Sequence, residues 1–192
     1  MGKIRLLGDV HADYRTWLGL TDDCEASIQL GDFGIGFAEP PPWRPNHVFI
    51  RGNHDNPELC KKREDYLPSG VLCGNIFPIG GAFSIDQHLR TEGVDWWRDE
   101  EHSYAELNDL IDKVVELKPA IIVSHAAPSS VVRYLFGFEA QSRTEQALQR
   151  IFEIHQPKVW AFAHYHIHRI KTICGTNFVA LNEHQAVDLE GV

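Results

Sequence analysis

Five apolar, β-branched runs in this chain each end in a short segment of metal-ligating residue types. The runs are residues 4–7, 28–30, 48–50, 121–123 and 159–163. They lead into Gly8-Asp9-Val10-His11, Gly31-Asp32, Gly52-Asn53-His54-Asp55, Ser124-His125 and His164-Tyr165-His166. Short apolar runs bounded by turn residues read as buried strands. A strand that ends in a carboxylate, amide or imidazole presents that group at the edge of a sheet. Five such edges side by side make a concave rim of oxygen and nitrogen donors. The chain is thereby confined to folds that gather five strand ends distant in sequence.

Between the runs the sequence alternates. Helices are expected over residues 14–20 and 57–62, with Pro57 suited to a first turn. Ser103 and Glu106 form a capping-box pattern that opens a helix to about residue 118. Leu107, Leu110, Ile111, Val114 and Leu117 fall on one of its faces. A second box, Ser142 and Glu145, opens a helix with Ala147, Leu148, Ile151 and Phe152 as its apolar stripe. Residues 34–45, rich in Pro and Gly, read as a loop. Residues 71–85 read as short strands broken by Gly74-Asn75 and Gly80-Gly81. The polar stretch 86–102 carries Trp96 and Trp97. The end is β, over 159–163, about 167–173, 178–181 and 187–189, with a hairpin turn at Gly175-Thr176-Asn177. Strands that alternate with helices early and cluster late predict an α/β sandwich with helices on the outer faces. Periodicity alone leaves one sheet or two open. A chain of 192 residues reads as one domain spanning 1–192.

The formal net charge of −9 disfavours broad nucleic-acid binding, which depends on Lys and Arg contacts to phosphates. A phosphate substrate stays compatible, because bound divalent cations would reverse the local field. No apolar run approaches the roughly 18 residues of a membrane span, and no secretory leader pattern opens the chain. The expected location is cytoplasmic, with no membrane partner. The 4 cysteines lack Cys-x-x-Cys spacing and are expected to be reduced thiols.

Two cations about 3.5–4 Å apart need a bridging carboxylate to screen their repulsion. Asp32 is the candidate, being the lone acid at its strand end. Asp9 and His11 stand at i and i+2, so in extended backbone both point the same way. His164 and His166 repeat that spacing. His125 ends a buried strand, and Asn53 offers an amide oxygen without adding charge. Mixed oxygen and nitrogen ligation without sulfur suits Mn²⁺, the expected metal, with Fe, Zn²⁺ or Ni²⁺ as alternatives.

In this order the motifs resemble those of the calcineurin-like metallophosphoesterases: Asp-x-His, Gly-Asp, Gly-Asn-His-Asp/Glu, His, then Gly-His-x-His. The resemblance spans Asp9 to His166. It implies a four-layer α/β/β/α sandwich with a dinuclear centre at the sheet edges. Asp9, His11, Asp32 and His166 would hold one metal, and Asp32, Asn53, His125 and His164 the other. His54 would protonate or orient the leaving group. The implied reaction is hydrolysis of a phosphoester by a hydroxide held between two divalent ions.

There are departures from the family pattern. Gly31-Asp32 continues as Phe33-Gly34, not as the Val-Asp-Arg-Gly of serine/threonine protein phosphatases, so that arginine and its aspartate are missing. Ala12 and Ala163 replace glycines. Phosphomonoester hydrolysis is the leading expectation, on a phosphorylated small molecule or nucleotide. A phosphodiesterase on cyclic or dinucleotides is the alternative, and a catalytically silent protein-binding scaffold a third. Substrate contacts are expected from Arg90, Trp96, Trp97 and His102, although the two indoles could instead pack their loop. Tyr165, between two ligands, is expected to face the core.

Overall fold

Period-2 alternation within the buried runs sorts their side chains into two different cores, and two sheets result. The structure, a computed structural model, describes residues 2–191. In the first sheet β1 (Lys3–Leu7), β2 (Ser27–Leu30) and β3 (His47–Ile50) run parallel in the order β3-β2-β1. The last strand, β9 (Ala186–Glu190), returns antiparallel beside β1. The second sheet has the order β4-β5-β6-β8-β7. There β4 (Ile76–Ile79), β5 (Ile121–Ser124), β6 (Val159–Phe162) and β8 (Thr176–Ala180) are parallel, and β7 (Arg169–Ile173) pairs antiparallel with β8.

Leu6, Ile28 and Leu30 of the first sheet meet Ile121, Val123, Ala161 and Val179 of the second in one buried cluster. The intervening residues face outward and are covered by helices. Phe77, Ile122, Trp160, Phe162 and Phe178 pack under α3 (Tyr104–Leu117), α4 (Ser129–Phe136) and α5 (Arg143–Ile154). On the far side Leu7 and Phe49 are covered by Trp17 of α1 (Tyr14–Thr21) and Cys60 of α2 (Pro57–Cys60). The result is the expected α/β/β/α sandwich, with two sheets. Parallel strands covered on both faces read as continuous apolar runs, as β3, β4, β5 and β6 do, whereas the exposed edge strand β7 is polar.

Both capping boxes form, with Ser103 and Ser142 each bonded reciprocally to the glutamate three residues on. Three expectations need correction. The helix α4 was not anticipated, because its Val131-Val132 pair is β-branched and its eight residues are too few for a clear period. The second helix stops at Cys60, and residues 71–85 hold a single named strand, β4. Among the described residues, no helix is long and apolar enough to cross a membrane.

The return of β9 is fixed electrostatically. Arg5 and Asp188 are register partners, and Asp188 accepts from Arg5 Nε at 2.8 Å and from Nη2 at 3.1 Å. Lys3 Nζ stands 2.6 Å from the same carboxylate. Hydrogen bonds from Arg5 and then Lys3 hold the Asp188 carboxyl at about 2. In an unfolded chain it would titrate near 3.9. Its contribution to stability is therefore complete above that unfolded value and is lost as pH falls through about 2. Asp188→Asn should cost about 1 kcal/mol or less at neutral pH, the pair being partly exposed. Urea midpoints of the two proteins should converge as pH drops from 4 towards 2, whereas a constant gap would rule the pair out as the cause.

Candidate metal centre

All five motif segments follow the carboxyl ends of parallel strands, so they share one rim. Backbone and buried polar groups cross-tie them. Val10 N and His11 N donate to Asp32 O at 3.2 and 2.9 Å, joining the first loop to the second. Gln29 Nε2 donates to Gly8 O and Gly31 O, both at 2.8 Å. Ala163 N donates to His125 O at 3.1 Å across the second sheet. The Asp55 carboxylate, fully buried, accepts four backbone N–H bonds, from Phe33, Gly34, Ile35 and Gly52, at 2.7 to 3.2 Å. It thereby fixes the loop after β2 to the loop after β3.

Extended backbone does not present the paired ligands, which corrects the i, i+2 argument. His11, Asp32, His164 and His166 have φ of 46°, 47°, 68° and 51°, in the left-handed region. Each follows a strand end where the chain must turn away, and the left-handed residue turns its side chain back over the rim. Such conformations cost roughly 1–2 kcal/mol each for non-glycine residues, so the cross-ties must hold them. Ala12, at a position where the protein phosphatases carry Gly, also has a positive φ of 67°. Two glycines are dictated by close approach. A Cβ on Gly31, whose φ is +93°, would lie 2.3 Å from His125 Nδ1, and one on Gly52 would lie 2.0 Å from Asp32 Oδ1.

The turns bring all seven expected ligands together. Ligand atoms of Asp9, His11 and His166 lie within 4.8 Å of one another, and so do those of Asp9, Asp32 and His125. Asp32 faces both sides, with Oδ1 3.3 Å from His125 Nε2 and Oδ2 3.9 Å from His11 Nδ1. Asn53 Oδ1 is 3.0 Å from His125 Nε2, and the His164 ring centroid is 5.0 Å from that of His125. His11 Nε2 and His166 Nε2 approach to 3.3 Å.

These groups fit divalent cations, because their acceptors face acceptors. His125 Nδ1 lies 2.7 Å from Leu30 O, which can only accept, so the ring proton belongs on Nδ1. A neutral ring would leave a bare Nε2 facing two oxygens, Asn53 Oδ1 and Asp32 Oδ1, so that gap calls for either a second proton or a cation. Asp9 Oδ2 is buried without a well-formed hydrogen bond, and its nearest partner is His166 Nε2 at 2.9 Å. Two carboxylates taken out of water need positive charge beside them. In the protein alone a proton on His125 supplies it. Burial would lower that imidazole, yet Asp32 and Asp9 prevail and raise it to about 9. Burial, followed by the His125 charge, drives His164 down to about 3. Burial would raise Asp32, but the surrounding imidazoles hold it well below the usual carboxylate range.

A family model described as calcineurin-like phosphoesterase matches residues 2–168. The chain belongs to the calcineurin-like phosphoesterase family. Membership makes it a metal-dependent hydrolase of phosphoesters. Similar solved structures include GAP50, the anchor in the inner membrane complex of Plasmodium, at 10% identity over 95% of this chain and 72% of that one, with a TM-score of 0.51. Another is a Streptococcus pneumoniae protein described as a predicted phosphoesterase, at 11% identity over 95% and 72%, with a TM-score of 0.41. A Thermotoga maritima protein solved by NMR is 15% identical over 100% and 93%, with a TM-score of 0.42. At 10% identity GAP50 shares the fold alone. No curated protein matches the chain.

In this phosphoesterase His11, His54, His166, Phe37 and Arg90 line a cavity of about 270 Å³ at the rim. The His54 backbone N–H donates to Asp32 Oδ1 at 2.8 Å. Burial pushes the His54 imidazole below its ordinary value, with Asp32 opposing. Asp86 grips the Arg90 fork at 2.8 and 2.7 Å, and Arg90 Nη2 reaches 3.4 Å from His54 Nε2. The other expected substrate contacts do not line this cavity. Trp97 is buried edge-on against Phe37, with ring centroids 5.6 Å apart. Trp96 lies beside the Glu100 carboxylate. His102 is bonded to Ser69 Oγ at 2.8 Å in a separate cavity. Tyr165 packs on Phe136 and Phe162 and donates to Glu145 at 2.8 Å.

Three residues at the rim escaped the sequence reading. Gln29 could have been found as an uncharged polar residue inside an apolar run. Asp55 was visible only as a motif member. Glu183, on the β8–β9 connection, approaches His11 Nε2 to 3.6 Å and His166 Nδ1 to 3.5 Å, and nothing local marks it.

Asp55→Asn exchanges an acceptor for a donor among four N–H groups. It should cost about 2–4 kcal/mol in denaturant unfolding, with metal binding weakened as well. An unchanged midpoint would refute the bracing role.

Proposed function

We propose that this phosphoesterase hydrolyses phosphomonoesters at a centre of two divalent cations, Mn²⁺ by preference, within one domain spanning residues 1–192. Asp9, His11, Asp32 and His166 would hold one cation, and Asp32, Asn53, His125 and His164 the other. When bound, such cations supply Lewis acidity, lowering the pKa of a water and neutralising phosphoryl oxygens. The monoester reading rests on Arg90. A monoester carries a dianionic phosphoryl group, and Arg90, anchored to Asp86 through Nε and Nη2, keeps further N–H groups on Nη1 and Nη2 that can donate to its oxygens. Arg90 arrives from a different segment than the arginine missing after Asp32, yet supplies the same positive charge. His54 lies on the same cavity wall and is suited to give or steer a proton to the departing oxygen. Phe37, backed by Trp97, gives the cavity an apolar side.

A diester reading is favoured by a different observation. A groove of about 680 Å³ abuts His164 and is lined by Phe83, Tyr104 and Phe138, room enough for a second organic arm. A silent scaffold leaves the converged acceptors without a purpose. The described cysteines are all free thiols, which supports a reducing, cytoplasmic setting.

Metal-free protein loaded with Mn²⁺ should turn over p-nitrophenyl phosphate faster than bis-p-nitrophenyl phosphate, and Asp32→Asn should abolish both. Arg90→Ala should lower kcat/KM for the monoester by about 10²-fold, and less for the diester. Preference for the diester would move the assignment to the second reading. Loaded protein inert to both esters would return the scaffold.

His54→Ala should keep both metals and slow esters with poor leaving groups by about 10²–10⁴-fold. Loss of a metal in that variant would make His54 a ligand instead.

A further inference from the structure

An asparagine side chain has two ends of nearly the same shape and opposite chemistry. The oxygen can hold a cation and the NH₂ group cannot, so the amide of Asn53 must be held one way round. It is 2% exposed, and once His125 Nε2 is given over to a cation only the far side of the amide can fix its orientation. There Asn53 Nδ2 donates to Ser84 Oγ at 2.9 Å.

A serine hydroxyl can donate or accept, so Ser84 alone would tolerate either end of the amide. Glu100 removes that freedom. Its Oε1 accepts from Ser84 N at 2.9 Å, and its Oε2 accepts from Ser84 Oγ at 2.5 Å. A carboxylate only accepts, so the one hydroxyl proton of Ser84 is committed to Glu100. Only lone pairs remain for Asn53, and only the NH₂ end satisfies them. The amide oxygen is then directed to His125 Nε2, 3.0 Å away.

Glu100 is 3% exposed, and its carboxylate has no Lys or Arg side chain paired with it among the described residues. Burial raises its carboxyl above the ordinary value, with the Ser84 donors opposing. A buried acid without a cation is unfavourable, and a glutamine would fill the same space. Glutamine could donate to Ser84, however, and so would not enforce the direction of the chain. Arg51 holds the Glu100 backbone in place, donating from Nη1 to Asp99 O at 2.8 Å and Glu100 O at 2.7 Å. Arg51 directly precedes Gly52-Asn53, so a closed ring of contacts runs from Arg51 through Glu100 and Ser84 back to Asn53.

We infer that Ser84 and Glu100 are positioning residues that orient the Asn53 amide with its oxygen turned into the metal centre. The inference rests on the reading of Asn53 as a ligand. It assigns a task to the segment between β4 and α3 beyond its substrate-side Arg90.

Calorimetric titration of the metal-free protein with Mn²⁺, paired with thermal melting of the same samples, tests it. Wild type should take up two equivalents. Glu100→Gln and Ser84→Ala should each weaken one equivalent by about 10–100-fold and leave the other in place. The double variant Glu100→Gln/Asn53→Asp runs the chain backwards, with Gln donating to Ser84 and Ser84 to Asp. It should recover most of the loss, while Asn53→Asp alone should bind no better than wild type.

Wild-type affinities in both Glu100→Gln and Ser84→Ala would overturn the proposal. So would a fall in melting temperature without a change in metal affinity, or a double variant no better than Glu100→Gln. Asp32→Asn separates the two levels of the argument. If it still binds two equivalents, the ligand reading itself is wrong. If it loses metal while Glu100→Gln does not, only the orientation claim falls.

Discussion

Asp9 and Asp32 lie within a few ångströms of the same imidazole, both removed from water. Two buried negative charges so close cannot persist without positive charge between or beside them. The rest of the rim follows from that requirement. When only protons are available His125 carries the positive charge and the buried His164 beside it stays neutral, and a cation at the rim would relieve the same repulsion. The layers of the sandwich then serve as a rigid frame, since a shift of one strand end would leave a carboxylate buried and uncompensated.

Keeping those charges together strains the backbone locally. Candidate ligands in left-handed turns, and glycines that let a carboxylate or imidazole pass within contact distance, are conformations the chain would not adopt in isolation. They persist because neighbouring loops fix one another through Gln29, Asp55 and the Asp32 carbonyl. Local strain is held by long-range hydrogen bonds, so the site and the fold are stabilised by the same contacts.

This division explains what could be read in advance. Strand ends, both capping boxes and the seven candidate ligands are encoded within a few consecutive residues each, and the chain displays them openly, whereas the number of sheets was not readable from periodicity. What was illegible depends on partners far along the chain. Asp55 has its meaning only against Phe33 to Ile35, and Glu100 only against Ser84 and Asn53. The turns carrying His164 and His166 looked like strand because spacing does not report φ. Arg90 was legible as a cation in a polar segment, but its place beside His54 comes from Asp86 and the path of the loop. Trp96 and Trp97, the most conspicuous residues of that segment, stand behind the cavity wall.

The pairing of Lys3 with Glu190 sets the two ends of the described chain side by side. Because β1 runs from Lys3 towards the rim, that meeting point lies at the pole opposite the candidate metal centre. Polypeptide attached at either end, whether a neighbouring domain or a purification handle, would emerge on the side away from the chemistry. A short linker joining the ends could close the backbone into a circle, freeing a surface loop elsewhere to become a new pair of termini without disturbing a single ligand.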